Sequence, residues 1–248
     1  MAIDVRLDGL AVGYRRGREV ASDISVIFRG GELSCLIGPN GTGKSTLLKT
    51  ISGFLEPKSG SVWFDDGESK TALSAMSHHD LSRTVSIVLT KVPDVQNLTV
   101  EEMTAMGRSP YTGFWGRLLA DDREVVRKSL SAVGILSLAD RMIQTLSDGE
   151  RQKVMVARAL AQQTPVIVLD EPTAFLDYPS KAELMRLLLH LAHSQQKTII
   201  LSTHDLSLAV HLSDRLFRLA DGRLSPVSRS SVQASMEHLM EAPSSKTK

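Results

Sequence analysis

The stretch Gly38-Pro39-Asn40-Gly41-Thr42-Gly43-Lys44-Ser45-Thr46 decides how this chain folds. It fits G-x-x-x-x-G-K-[ST], a loop that binds phosphate. Immediately upstream, Leu33-Ser34-Cys35-Leu36-Ile37 reads as a buried strand, and downstream residues 45–52 read as the opening of a helix. Glycines let the backbone wrap closely round a polyphosphate, and the loop N–H groups and helix N-terminus face the anion. Lys44 supplies a cation for the β- and γ-phosphates, and the Ser45 hydroxyl is a ligand for Mg²⁺. The competing reading is a glycine-rich turn with an exposed lysine; the strand–loop–helix context disfavours it.

The bulk numbers set the frame. The chain has 248 residues, 42% of them hydrophobic. That suffices for one α/β domain with an inserted lobe and a substantial core, but not for two nucleotide domains. A net charge of +1 argues against a nucleic-acid footprint. The single cysteine, Cys35, lies in an apolar strand, which excludes an internal disulfide and suits a small buried core residue. Residues 1–8 show no basic-then-apolar signal pattern, and no apolar run is long enough to cross a bilayer.

Along the chain, 3–10 and 20–28 alternate apolar and polar residues as half-buried antiparallel strands do. Residues 61–65 predict another strand, closed by the turn Asp66-Gly67, and 85–89 a short apolar one. From 99 to 141 the pattern turns helical: Thr99 and Glu102 form a capping box, Gly107 is placed to end that helix, and 121–133 is a second amphipathic run. Helices at 149–162, 180–194 and 206–212 then alternate with strands at 166–169 and 198–202, which implies a parallel sheet covered on both faces. The expected organisation is one domain over 1–226 with a helical subdomain at about 95–160. A C-terminal helix and flexible tail follow over 227–248.

Two further segments carry chemistry. Val166-Ile167-Val168-Leu169-Asp170-Glu171 is an apolar strand delivering two acids at its C-terminal end, where ligands bind in open α/β sheets. Asp170 suits Mg²⁺, and Glu171 suits orienting and deprotonating water. Leu146-Ser147-Asp148-Gly149-Glu150 reads locally as a capping box, with Ser147 the N-cap and Glu150 at N3. The same helix N-terminus is a second anion site. One nucleotide does not need two such sites, unless the second meets a phosphate held by another copy.

The succession of phosphate loop, Leu146–Glu150 element, strand with Asp170-Glu171 and then His204 resembles the ATP-binding-cassette (ABC) family over roughly residues 3–224. The resemblance implies a P-loop core with a parallel sheet flanked by helices, an N-terminal antiparallel β subdomain and an inserted all-helical subdomain. It implies an ATPase using ATP and Mg²⁺. Lys44, Glu171 and His204 would be catalytic, and Ser45, Asp170 and Thr90 would hold the metal. Nucleotide contacts would come from Gly38 through Thr46, from Tyr14 stacked on adenine, and from Ser147, Gly149, Glu150 and the loop Phe175-Leu176-Asp177 of a second copy. Thr90 stands where the family places a glutamine. Leu98-Thr99-Val100 and Gly107-Arg108-Ser109-Pro110-Tyr111 resemble importers of iron–siderophore, haem and cobalamin, with Tyr111, Phe114 and Trp115 expected at a permease contact. The implied partners are a twin in a head-to-tail homodimer, integral membrane permease subunits and, indirectly, a substrate-binding protein, at the cytoplasmic face of the cell membrane. A soluble ATPase of iron–sulfur cluster assembly is the alternative; a nucleotide-dependent kinase or switch is disfavoured by the Leu146–Glu150 element.

Overall fold

A computed structural model describes residues 2–14, 17–90, 95–113 and 116–241. Phe114, Trp115 and the tail 242–248, expected respectively at a permease contact and as a flexible end, lie outside the described residues. The chain opens with two long antiparallel strands, β1 (Asp4–Gly13) and β2 (Glu19–Phe28), followed by β3 (Leu33–Ile37) and helix α1 (Lys44–Ile51). The hairpin β4 (Ser59–Asp65) and β5 (Lys70–Ala72) joins β1 and β2 in a four-stranded sheet of order β2-β1-β4-β5. The turn between them is tied by Asp66, whose Oδ1 accepts the amides of Glu68 and Ser69.

Helix α2 (His78–Thr84) leads into β6 (Val85–Val88). A helical block follows, with α3 (Val100–Ala105), α4 (Ala120–Ala132) and α5 (Asp148–Ala161). The rest is β7 (Val166–Asp170), α6 (Tyr178–Gln195), β8 (Thr198–Ser202), α7 (Leu206–Leu212), β9 (Arg215–Ala220), β10 (Arg223–Val227) and α8 (Arg229–Glu241). The second sheet runs β10-β9-β3-β8-β7-β6. Its pairs are parallel except β9 with β10, so the expected parallel sheet gains an antiparallel edge. Residues 215–227 were not expected as strands: Arg215, Arg218 and Arg223 interrupt the apolar pattern, and Pro226 lies inside β10, where an edge tolerates it.

Period-two alternation decides what each face touches. Cys35, Ile167, Leu169, Ile199 and Leu201 enter one core with residues of α3 to α7. Leu36, Val166, Val168 and Ile200 enter another with Leu47, Leu48 and Ile51 of α1 and the inner face of the four-stranded sheet. The six-stranded sheet is thus buried on both sides, and β3, β7 and β8 are buried along their whole length. No described helix is long and apolar enough to cross a membrane.

Helix α3 ends just before Gly107, as expected, with Met106 its C-cap, and the chain then tightens into a 3₁₀ stretch, Met106–Tyr111, rather than turning at a left-handed glycine. Gly107 is needed for close approach instead: a Cβ there would stand 2.2 Å from the Arg158 carbonyl oxygen of α5. The same stretch is pinned by Arg108, which is buried. Its Nε donates to Asp122 Oδ1 at 2.9 Å, and its Nη1 donates to the Ala161 carbonyl and to Gln163 Oε1, both at 2.8 Å.

Candidate nucleotide site

The loop between β3 and α1 has the backbone that an anion cradle requires. The N-cap of α1 is Gly43, with φ of 107° and no side chain to cap the helix, so the first N–H groups of α1 have no side-chain acceptor. Gly38 has φ of 148°, and a Cβ on it would lie 2.3 Å from the Leu219 carbonyl oxygen; a Cβ on Gly43 would lie 2.5 Å from Val20 Cγ1. Both positions therefore demand glycine on two counts. Thr42 Oγ1 donates to the Pro39 carbonyl at 3.0 Å. Lys44 Nζ donates to the Gly38 and Pro39 carbonyls at 2.7 and 2.9 Å. Burial pushes the Lys44 ammonium below the usual lysine range, and the negative charges of Glu171 and Asp170 oppose that push.

The acids stand at the end of β7. Asp170 is buried, and its Oδ1 accepts the Ser202 hydroxyl at 2.8 Å. Glu171 adopts φ of 52°, unusual for a residue with a side chain. Its amide donates to Ser202 Oγ at 3.0 Å. Glu171 Oε1 lies 2.9 Å from His204 Nε2, and the Glu171 side chain is only 12% exposed. Burial raises the Glu171 carboxyl above the usual carboxylate range, while the charges of His204 and Lys44 pull it back down. Thr90, two residues past β6, donates its hydroxyl to the Asp170 carbonyl at 3.0 Å.

Lys44, Thr90, Glu171 and His204 line one cleft of about 440 Å³, together with Tyr14, Val20, Asn40, Gly41, Gly43, Ser45 and Thr46, while Asp170 is buried beside Glu171 at the end of β7. Tyr14 is 51% exposed and lines both this cleft and a groove over residues 53–58. Donor N–H groups, a buried ammonium and glycines with no room for a Cβ fit a polyphosphate. The Ser45 and Thr90 hydroxyls that line the cleft, and the nearby acid Asp170, are the oxygen donors that a hard divalent cation prefers.

The other expected contacts lie elsewhere. Ser147, Gly149, Glu150 and Asp177 line a separate groove of about 590 Å³, which shares no lining residue with the cleft. Within one chain the two sets do not meet. Ser147 caps α5: its Oγ accepts the Glu150 amide at 3.2 Å, and Glu150 Oε2 accepts the Ser147 amide at 2.8 Å. Donation to Glu150 Oε2 from the Ser147 amide, and from the Ser147 hydroxyl at 2.9 Å, holds the Glu150 carboxyl below its usual range. Asp177 caps α6, its Oδ1 accepting the Ser180 amide at 3.1 Å. Gly149 lies close to the Asp177 loop, with the Phe175 carbonyl 3.1 Å from where its Cβ would be.

Two expectations need correction or addition. Tyr111, expected on an exposed contact surface, is half-buried: its hydroxyl donates to the Gln162 carbonyl at 2.9 Å, and its ring packs against the guanidinium groups of Arg83 and Arg108. Ser202 was missed. Its signal was a polar residue, buried, closing the apolar strand Thr198–Ser202 two positions before His204.

Comparison with known proteins agrees with this geometry. Residues 21–174 match the ABC transporter family. The iron(3+)-hydroxamate import ATP-binding protein of Bacillus subtilis is 37% identical over 214 residues, covering 86% of this chain and 77% of that protein. The cobalamin import ATP-binding protein of Halobacterium salinarum is 37% identical over 208 residues, covering 84% of this chain and 51% of that protein. Among solved structures, the dimeric post-hydrolysis state of an ATP-binding cassette bound to ADP and phosphate superposes with a TM-score of 0.79 at 25% identity, covering 91% of this chain and 98% of that one. With the family's model matched over most of the chain and more than a third of residues shared with an import ATP-binding protein along most of both lengths, this chain belongs to the ABC transporter family.

Proposed function

We propose that this chain is the ATP-hydrolysing subunit of an importer that takes up an iron chelate, siderophore or haem, or else cobalamin. The observation that carries the ATPase reading is the cleft in which Lys44, Glu171 and His204 converge on a helix N-terminus, with Asp170 adjoining Glu171 at the end of β7. The importer reading rests on the likeness to iron-hydroxamate and cobalamin import proteins, which also favours it over iron–sulfur assembly.

In this reading Tyr14 stacks on adenine, and the loop from Gly38 to Thr46 holds the phosphates through its amides. Oxygens of Ser45, Asp170 and Thr90 would hold Mg²⁺, which when bound would supply charge neutralisation at the phosphates. The Thr90 hydroxyl points its proton at the Asp170 carbonyl, which leaves its oxygen lone pairs for the metal or a water. Lys44 stabilises charge on the transferred phosphoryl group. Glu171 takes a proton from water as the water oxygen bonds to the γ-phosphorus. The bond to the β–γ bridging oxygen breaks, and ADP leaves with its electron pair.

A second copy, head to tail, brings Ser147, Gly149 and Glu150 to the same γ-phosphate, with Asp177 and His204 meeting across the interface. Closing and opening of the pair drives permease subunits in the membrane, to which a substrate-binding protein delivers cargo. The chain sits at the cytoplasmic face as a peripheral subunit and never touches the cargo. Affinity purification from membranes tests this: a polytopic membrane protein is expected with the chain, and deletion should stop uptake of one of the three cargo classes. Recovery of the chain with soluble partners only, and unchanged uptake of all three, sinks the importer reading.

A further inference from the structure

The structure brings two hydroxyls to opposite ends of one peptide group. The Asp170–Glu171 peptide joins the last residue of β7 to the acid that follows it. Its carbonyl accepts the hydroxyl of Thr90 at 3.0 Å, and its amide donates to the hydroxyl of Ser202 at 3.0 Å. Thr90 follows β6 and Ser202 ends β8, the two strands that flank β7. The backbone ladder gives out here: the last pair between β6 and β7 is Val88 with Leu169, and the last between β7 and β8 is Asp170 with Ser202. Beyond those pairs, side-chain hydroxyls continue the pairing from both sides.

We propose that Thr90 and Ser202 form a clamp that fixes the plane of the Asp170–Glu171 peptide and thereby aims Glu171 into the cleft. The proposal rests on the reading of Glu171 as the base. The peptide needs such a clamp because Glu171 sits at φ of 52°, a conformation a side chain disfavours. Relaxing that torsion would swing the carboxylate away from His204 Nε2, 2.9 Å distant, and from the cleft. Ser202 is suited to a double task, since a hydroxyl has one proton to give and lone pairs to accept with. It gives the proton to Asp170 Oδ1 and accepts the Glu171 amide, so one buried oxygen orients both acids. Thr90 and Ser202 are therefore positioning residues that act through Glu171.

The test is ATP hydrolysis by the full chain at saturating Mg²⁺, comparing Ser202→Ala, Thr90→Val, Thr90→Ser, the double variant S202A/T90V and Glu171→Gln. The clamp predicts that Ser202→Ala and Thr90→Val each lower kcat roughly 10- to 100-fold with KM for ATP within about twofold of native. Thr90→Ser, which keeps the hydroxyl, should restore kcat to within about threefold. The double variant should be no more than about twofold slower than the slower single one, because either loss already frees the same peptide. Native kcat in either single variant, or a double variant whose loss is the product of the two single losses, overturns the clamp. If Ser202→Ala does not fold, Ser202→Cys, which keeps the size and weakens both hydrogen bonds, takes its place in the same comparison. Glu171→Gln separates the two levels: a native rate there removes the base reading itself, whereas an inactive Glu171→Gln beside native-like Ser202→Ala and Thr90→Val removes only the clamp.

Discussion

His204 Nε2 stands 2.9 Å from Glu171 Oε1, although the two residues come from different loops, one after β8 and one after β7. Both side chains line the phosphate cleft. A carboxylate that is mostly buried, beside one titratable ring and one ammonium, is a base whose strength its neighbours set.

Glu171→Gln should retain ATP binding and ATP-dependent dimerisation while losing about 10²- to 10⁴-fold in hydrolysis, the usual worth of a positioned base. Steady-state ATPase rates with size-exclusion chromatography in ATP check both halves. A variant that hydrolyses normally, or that no longer binds ATP, contradicts the assignment.

Thr90→Val should raise the Mg²⁺ concentration needed for half-maximal ATPase activity several-fold, and Thr90→Ser should restore it. The argument is chemical: valine keeps the shape but has no oxygen for a cation that accepts only oxygen. Titration of Mg²⁺ at fixed ATP measures it, and an unchanged midpoint removes Thr90 from the metal shell.

Gly43→Ala should destabilise the fold as well as abolish nucleotide binding. Its backbone φ of 107° disfavours any side chain, and the new methyl would sit 2.5 Å from Val20 Cγ1. A loss of roughly 1–3 kcal/mol is expected, on the scale of a strained non-glycine residue. Thermal or urea unfolding reads it, with nucleotide-induced stabilisation as the second measurement; native values in both would contradict the close packing.

Asp122→Ala should cost about 3 kcal/mol or more, because it leaves the Arg108 guanidinium buried without its acid. Asp122 is held below the usual carboxylate range first by the Leu119 amide and then by Arg108. A depressed acid stabilises the fold fully above its unfolded pKa of about 3.9, and that contribution is lost as pH falls through the lower folded value. The stability gap between native and variant should therefore be constant from pH 7 to about 5 and narrow below about pH 4. Urea midpoints across that range test the sign; a gap that widens on acidification refutes it.

How much was legible beforehand depends on the range of the interaction. The phosphate loop, the capping boxes at Thr99 and Ser147 and the buried strands β3, β7 and β8 are local: a glycine pattern, an i to i+3 pairing and apolar runs specify them within a few residues. Strands β9 and β10 were not legible, since their charged residues hide the period and only pairing with β3 and with each other makes them strands. Tyr111 was misjudged for a similar reason. An aromatic after a proline reads as free until Gln162, 51 residues on, is seen to accept its hydroxyl.

By itself, the order of residues determined the phosphate cradle, the acid pair and the serine-capped helix, because each is written in contiguous residues whose torsions and hydrogen bonds close on themselves. Only the tertiary structure decided which distant groups face one another. It set Thr90 and Ser202 on either side of one peptide, His204 against Glu171, and Ser147 in a groove apart from Lys44. Those meetings depend on strand order in the six-stranded sheet, which follows from burying both its faces at once and leaves no contiguous trace in the sequence.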